Sequence, residues 1–193
     1  MKTTELYAEY VIIGLETLSW IICAFYIVIG DEILTILNYC VKNLLPSIVI
    51  LCGCYILGMI TDRASDAILD KRKNEIKKKY KIQSKTSLLV WDKVNQADFA
   101  VFTLSRIRVL RSTIFNLFLL GCNGSYLAWK YYKNHMLAVF IFFLLFAFSA
   151  IANFAHKELL NVYYKKTSIF EKEYVLSDDE LNAYEIVYEK VKK

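Results

Sequence analysis

The stretch LGMITDRASDAILDKRKNEIKKK, residues 57–79, leaves an apolar run, sets aspartates at Asp62, Asp66 and Asp70, and then turns into a block of lysines. No helix breaker interrupts it beyond Gly58. Steps of three and four residues between Asp62, Asp66, Asp70, Lys73 and Lys77 put these charges along one helix face. Lysines toward the C-terminal end suit the helix dipole. The stretch reads as one helix passing from lipid to water. Gly58, Asp62 and Asp66 also spell G-x3-D-x3-D, a spacing used by membrane metal enzymes. It is therefore either an active site at a membrane surface or a helix leaving the bilayer.

The surrounding chain favours a membrane setting. Its 193 residues are 56% hydrophobic, with a mean hydropathy of +0.35, one proline and six glycines. A soluble domain would carry more turn residues and fewer apolar ones. Four segments are candidates to span, at residues 10–30, 44–60, 114–129 and 136–154. A bilayer core needs ~20 apolar residues. The second and third segments reach that length only if the polar turns at their ends are counted. Twenty-one of the 24 lysines and arginines fall before the first span, between the second and third, or after the fourth. By the positive-inside rule that side is cytoplasmic, with both termini inside. Long loops hold more residues of every kind, which weakens this bias without reversing it. Glu5 and Glu9 stand where a signal peptide would be basic, so the first span is expected to remain as an anchor. Cys23, Cys40, Cys52, Cys54 and Cys122 show no C-x2-C spacing and read as small apolar filler.

The expected fold is an all-α membrane protein: four transmembrane helices, long cytoplasmic helical extensions and a C-terminal amphipathic helix. Residues 1–61 hold the first two transmembrane helices, 62–112 the extensions, 113–156 the other two transmembrane helices, and 157–193 the cytoplasmic C-terminal helix. Residues 81–86 read as a connector, and Ser87 as the cap of a new helix. Residues 88–111 contain no glycine or proline and are expected to run unbroken into the third span. Trp91, Val94, Val101, Phe102 and Leu104 are too apolar for a lone exposed helix. They are expected to pack on the 62–80 helix or on another subunit. Ser177 and Glu180 form a capping-box pattern ahead of a stripe of Leu181, Tyr184, Val187, Tyr188 and Val191. These apolar faces predict a homo-oligomer, a tetramer being favoured.

Catalytic chemistry finds little support. CDP-alcohol phosphatidyltransferases use D-G-x2-A-R-x8-G-x3-D-x3-D to hold two divalent cations. Gly58, Asp62 and Asp66 fit its last third, but Leu44, Leu45, Ile48 and Val49 stand where Asp-Gly and Ala-Arg are required. Two-metal chemistry then lacks half its ligands. His135 and His156 form no dyad with a cysteine, and the chain has no P-loop or G-x-S-x-G. No catalytic residue, metal or cofactor is expected. Asp62 or Asp66 is instead expected to pair with Arg106, Arg108 or Arg111, which enter the third span at matching depth.

Polar groups within spans are costly and therefore informative. Glu9 and Glu16 lie seven residues apart, as do Asn116 and Asn123; Ser149 and Asn153 form an i, i+4 pair. Cys54 and Gly58 make a strip of small residues that permits close helix approach. Glu16 admits two readings. It hydrogen-bonds between packed helices, or it contributes to an acidic ring in the pore of an oligomer. The pore candidates are Glu9, Glu16, Asn116 and Asn123. The basic residues Arg106, Arg108 and Arg111 suit either anionic headgroups of the lipid bilayer or a phosphorylated ligand held by bidentate contacts.

With few spans, a helical cytoplasmic part, and Arg106, Arg108 and Arg111 above the inner mouth, the chain resembles the small membrane channel effectors of bacterial antiphage defence, the Hailong type in particular. The resemblance is one of architecture over the full length. It implies an oligomeric channel in the bacterial inner membrane. A nucleotide or oligonucleotide signal, made by a nucleotidyltransferase encoded nearby, would open it. The alternative is a non-conducting membrane scaffold that recruits a cytoplasmic partner.

Overall fold

Long apolar runs with one proline and few glycines fold as helices, because each backbone donor and acceptor then finds a partner within its own segment. The computed structural model describes residues 3–82 and 87–173. The C-terminal capping box and its apolar stripe lie outside the described residues. Among the described residues every element is a helix: α1 (Thr3–Ile29), α2 (Glu32–Lys42), α3 (Leu44–Tyr80), α4 (Ser87–Lys93), α5 (Ala97–Tyr132) and α6 (His135–Glu173). Three are long and apolar enough to cross a membrane, over Leu6–Ile29, Leu44–Tyr80 and His135–Lys172. The helix α5, which holds the expected third span, is not among them. Asn116, Asn123, Gly121, Gly124 and Ser125 dilute its apolar run.

The chain divides into two compact units. One comprises Met1–Asp70 and Leu104–Glu158, the other Lys71–Thr103 and Leu159–Lys193.

In the first unit, α1 and α3 cross backbone to backbone. A Cβ on Gly14 would lie 1.7 Å from the Cys54 carbonyl oxygen, and one on Gly58 would lie 1.9 Å from that of Tyr10. Only glycine fits at either position, and the closeness brings the polar groups of both helices within reach of each other. At the far end of α1, Lys130 Nζ donates to the Ile27 carbonyl at 2.7 Å, and Tyr131 Oη to that of Tyr26 at 3.2 Å. Lys130 thus meets a carbonyl in the last turn of α1, where helices leave acceptors open, while the Tyr26 carbonyl also accepts from the Gly30 N–H at 3.0 Å. The 31–43 connection, between the first two expected spans, contains α2. None of its residues is buried, and Leu34, Ile36, Tyr39 and Val41 are exposed.

In the second unit, the expected unbroken helix over 88–111 is corrected. Asn95 takes a left-handed conformation, with φ 56°. The Gln96 N–H donates to the Trp91 carbonyl at 3.0 Å and the Asn95 N–H to that of Asp92 at 2.9 Å. This is a Schellman motif, which ends α4 without glycine because asparagine tolerates that backbone region. The break brings Trp91 onto α5. Its ring is fully buried and stacks on Phe99 at 5.7 Å and on Tyr163 at 5.6 Å, while Phe170 meets it edge-on at 5.0 Å. Its Nε1 donates to Thr167 Oγ1 at 3.0 Å. Among the described residues the ring partners of Trp91 thus come from α5 and α6. Helix α3 contributes the buried Ile76, and Lys77 Nζ sits 5.9 Å from the Tyr164 ring.

Candidate functional site: a polar seam between α1, α3 and α5

Helical spacing assembles the seam. Ser105, Arg108 and Arg111 succeed one another at intervals of three on α5, and Asp62 and Asp66 lie one turn apart on α3. Arg108 Nη1 donates to Glu9 Oε2 at 2.7 Å, and Ser105 Oγ to Glu9 Oε1. Arg108 also approaches Asp62 at 3.9 Å and lies over the Tyr10 ring at 5.7 Å. Arg111 spans both aspartates, with Nη2 on Asp62 and Nη1 on Asp66. The Asp62 side chain is 7% exposed and that of Arg111 12%. Charges so withdrawn from water persist because each faces an opposite charge.

Further along α5 the seam becomes neutral apart from one carboxylate. Glu16 accepts from Thr113 Oγ1 at 2.9 and 3.0 Å and from Asn116 Nδ2 at 3.2 Å. Asn116 is 2% exposed and uses its whole amide. Its Nδ2 also donates to the Ile13 carbonyl at 3.3 Å, and its Oδ1 accepts from Trp20 Nε1 at 3.1 Å and Thr17 Oγ1 at 3.2 Å. The hydroxyls of Thr17 and Thr61, 2.9 Å apart, join α3 to this group. Asn123 Nδ2 donates to the Trp20 carbonyl at 3.3 Å. Ser149 Oγ of α6 donates to the Ile114 carbonyl at 3.0 Å.

The structure therefore brings Glu9, Asp62, Asp66, Arg108 and Arg111 into one ionic cluster and sets Glu16 beside Asn116. Asn123 stands farther along, against backbone, and Arg106 is exposed. Glu9 and Asn116, pore candidates by sequence, are buried within a single chain. Two of the three candidate ligand-binding arginines face carboxylates of the same chain. Sequence reasoning missed Thr17, Trp20, Thr61 and Thr113, and took Ser105 only as a donor beside the arginines. Ser105 precedes Arg108 by three, and Thr113 precedes Asn116 by three, so helical spacing from the polar residues already singled out was the available signal.

Comparison with protein-family models, curated proteins and solved structures found no match. The chemistry of the seam rests on its geometry alone. Arg111 occupies the position between Asp62 and Asp66 that a bridging cation would need. Glu16, by contrast, is held by neutral donors, and no ion pair to it occurs among the described residues.

Proposed function

We propose that the protein is a four-span membrane protein that acts as an oligomeric, signal-gated ion channel, with α5 holding the third span. The hydrogen bonds of Asn116 and Asn123 to α1 support that assignment, because they turn the polar groups of α5 toward protein and away from lipid. One observation carries the channel reading: Glu16 lies in an apolar helix and, among the described residues, is met by neutral donors rather than by a cation. Placing an ionised carboxylate in hydrocarbon costs ~2.5–3.5 kcal/mol even on the lenient insertion scale. A hydrated lumen removes most of this cost, and one glutamate per subunit forms an acidic ring that draws in cations.

The ionic cluster is the natural gate. Arg108 and Arg111 hold α5 to α1 and α3 through Glu9, Asp62 and Asp66. A phosphorylated, nucleotide-type ligand competes well for guanidinium groups, since phosphate accepts the same forked donors. In this reading the protein sits in the inner membrane of a bacterium, with both termini on the cytoplasmic side, and serves as an antiphage effector.

A second reading has its own support. Asn116 is saturated with hydrogen bonds, and Glu9 and Asn116 are buried within one chain, as in a packed scaffold that conducts nothing. A phosphatidyltransferase-like enzyme is the weaker alternative, because Arg111 already holds the two carboxylates it would need. Ion flux separates the first two. Potassium-loaded liposomes containing the purified protein should discharge when cyclic nucleotides or oligonucleotides are added. The Arg108→Ala/Arg111→Ala variant should not respond. Absence of discharge with every nucleotide and with the activating partner present would leave the scaffold.

A further inference from the structure

Helix α2 is tied at both ends to apolar helices. Only Gly30 and Asp31 separate it from α1, and only Asn43 from α3. Tyr26 Oη donates to Asp31 Oδ1 at 2.7 Å, and Ser47 Oγ to the Cys40 carbonyl at 2.8 Å. Links this short reach about 11 Å at most. Since α1 and α3 are both long and apolar enough to cross a membrane, α2 stays at the level where they would leave it.

The sequence of α2 has two faces. Glu32, Thr35, Asn38 and Lys42, at steps of three and four, make a polar side. Ile33, Leu37 and Cys40 make the opposite ridge, and they are half-buried. The apolar arc is wider than this ridge. Leu34 and Val41 continue it on one shoulder, 50% and 76% exposed, and Ile36 on the other, 53% exposed. Two observations point to what covers these shoulders. The chain on either side is also exposed and apolar, at Val28 and Ile29 of α1 and at Leu44 and Leu45 of α3, so whatever wets the flanks of those helices continues onto α2. The same end of the unit carries an aromatic belt. The bonds of Lys130 and Tyr131 to the last turns of α1 bring the end of α5 there, with Tyr126, Trp129, Tyr131 and Tyr132 exposed; Tyr39 of α2 is exposed as well. Tyrosine and tryptophan concentrate where headgroups meet acyl chains.

We propose that α2 lies in the bilayer interface, with Leu34, Ile36 and Val41 among the glycerol backbones and first acyl carbons of phospholipid and with Thr35 and Asn38 turned to water. The recognition is apolar. The helix carries Glu32 in its first turn and Lys42 in its last, so anionic headgroups gain nothing and zwitterionic lipid suffices. This attachment is independent of ion conduction.

The test uses the full chain with its native cysteines replaced and a single cysteine at position 34, 35, 38 or 41. Each is labelled with a nitrobenzoxadiazole fluorophore and reconstituted into phosphatidylcholine vesicles. Labels on Leu34→Cys and Val41→Cys should emit to the blue of those on Thr35→Cys and Asn38→Cys and lose quenching by iodide supplied on both sides. Interfacial helices sit ~5–10 Å into the boundary, so a nitroxide near the ester end of an acyl chain should quench positions 34 and 41 more than one near the methyl end. The native chain provides a measurement free of substitutions: a carbene-generating phospholipid should mark Leu34 and Val41 and spare Thr35 and Asn38. Equal iodide quenching on both faces would place α2 in water. Shielding of positions 34 and 41 from iodide and lipid nitroxide alike would mean that protein covers them, a second copy of the chain included. Either result, or carbene marks spread evenly over both faces, would overturn the proposal.

Discussion

Arg111 ties α5 to α3, since it holds two carboxylates of α3 from a position on α5. Removing it leaves Asp62 buried with only the distant Arg108 for company. Arg111→Ala should therefore destabilise the fold by roughly 3–5 kcal/mol, the usual cost of stranding half of a buried ion pair. Thermal unfolding in detergent measures it. Exchanging the charges, Asp62→Arg with Arg111→Asp, should recover part of the loss relative to either single change. No recovery would mean that the pair contributes through packing alone. The likelihood of such a pairing was legible because opposite charges recur at matching depth on two helices. The partner of Glu16 was not. Threonine is unremarkable in a helix sequence, and only the α1–α5 contact brings Thr113 to the carboxylate.

At the scale of elements, the α1–α3 crossing depends on Gly14 and Gly58. The sequence marked Gly58 with Cys54 as a small-residue strip. Gly14 went unnoticed, because a single glycine in an apolar helix carries no pattern of its own. Gly14→Ala should cost at least about 3 kcal/mol, since the added methyl meets a backbone carbonyl that no side-chain rotation can clear. Gly53→Ala is the control. Nothing lies within 4 Å of a Cβ there, and alanine suits a helix better than glycine. Paired unfolding curves that move both variants alike would contradict the crossing. The break at Asn95 was hidden because neither glycine nor proline announces it; asparagine does so only through its tolerance of positive φ. The run of α6 to Glu173 was masked in a different way. Charges at Lys157, Glu158, Lys165 and Lys166 obscure the helically spaced Leu160, Tyr163, Tyr164 and Thr167, all of them buried.

For the whole molecule, composition made the all-helical character and the membrane setting legible. Periodicity could not say which polar residues in a span face protein and which face water. In the proposed topology, which puts both termini on the cytoplasmic side, a single cysteine at position 83 should stay unlabelled by an impermeant reagent outside intact cells, and one at position 133 should be labelled, each in a background lacking the native cysteines. The reverse pattern would invert the topology. Light scattering in mild detergent should give an oligomer, with a tetramer expected; a monomer would count against an acidic ring built from several subunits. The decisive measurement is conductance of the purified protein in planar bilayers, with ligand or activating partner supplied, for the wild type and Glu16→Gln. The substitution keeps a side chain that can accept from Thr113 and Asn116 but deletes the charge. A channel lined by Glu16 should lose cation conductance while its assembly stays intact. Equal conductance in the two proteins would remove Glu16 from the pore, and no current from either would contradict the channel itself.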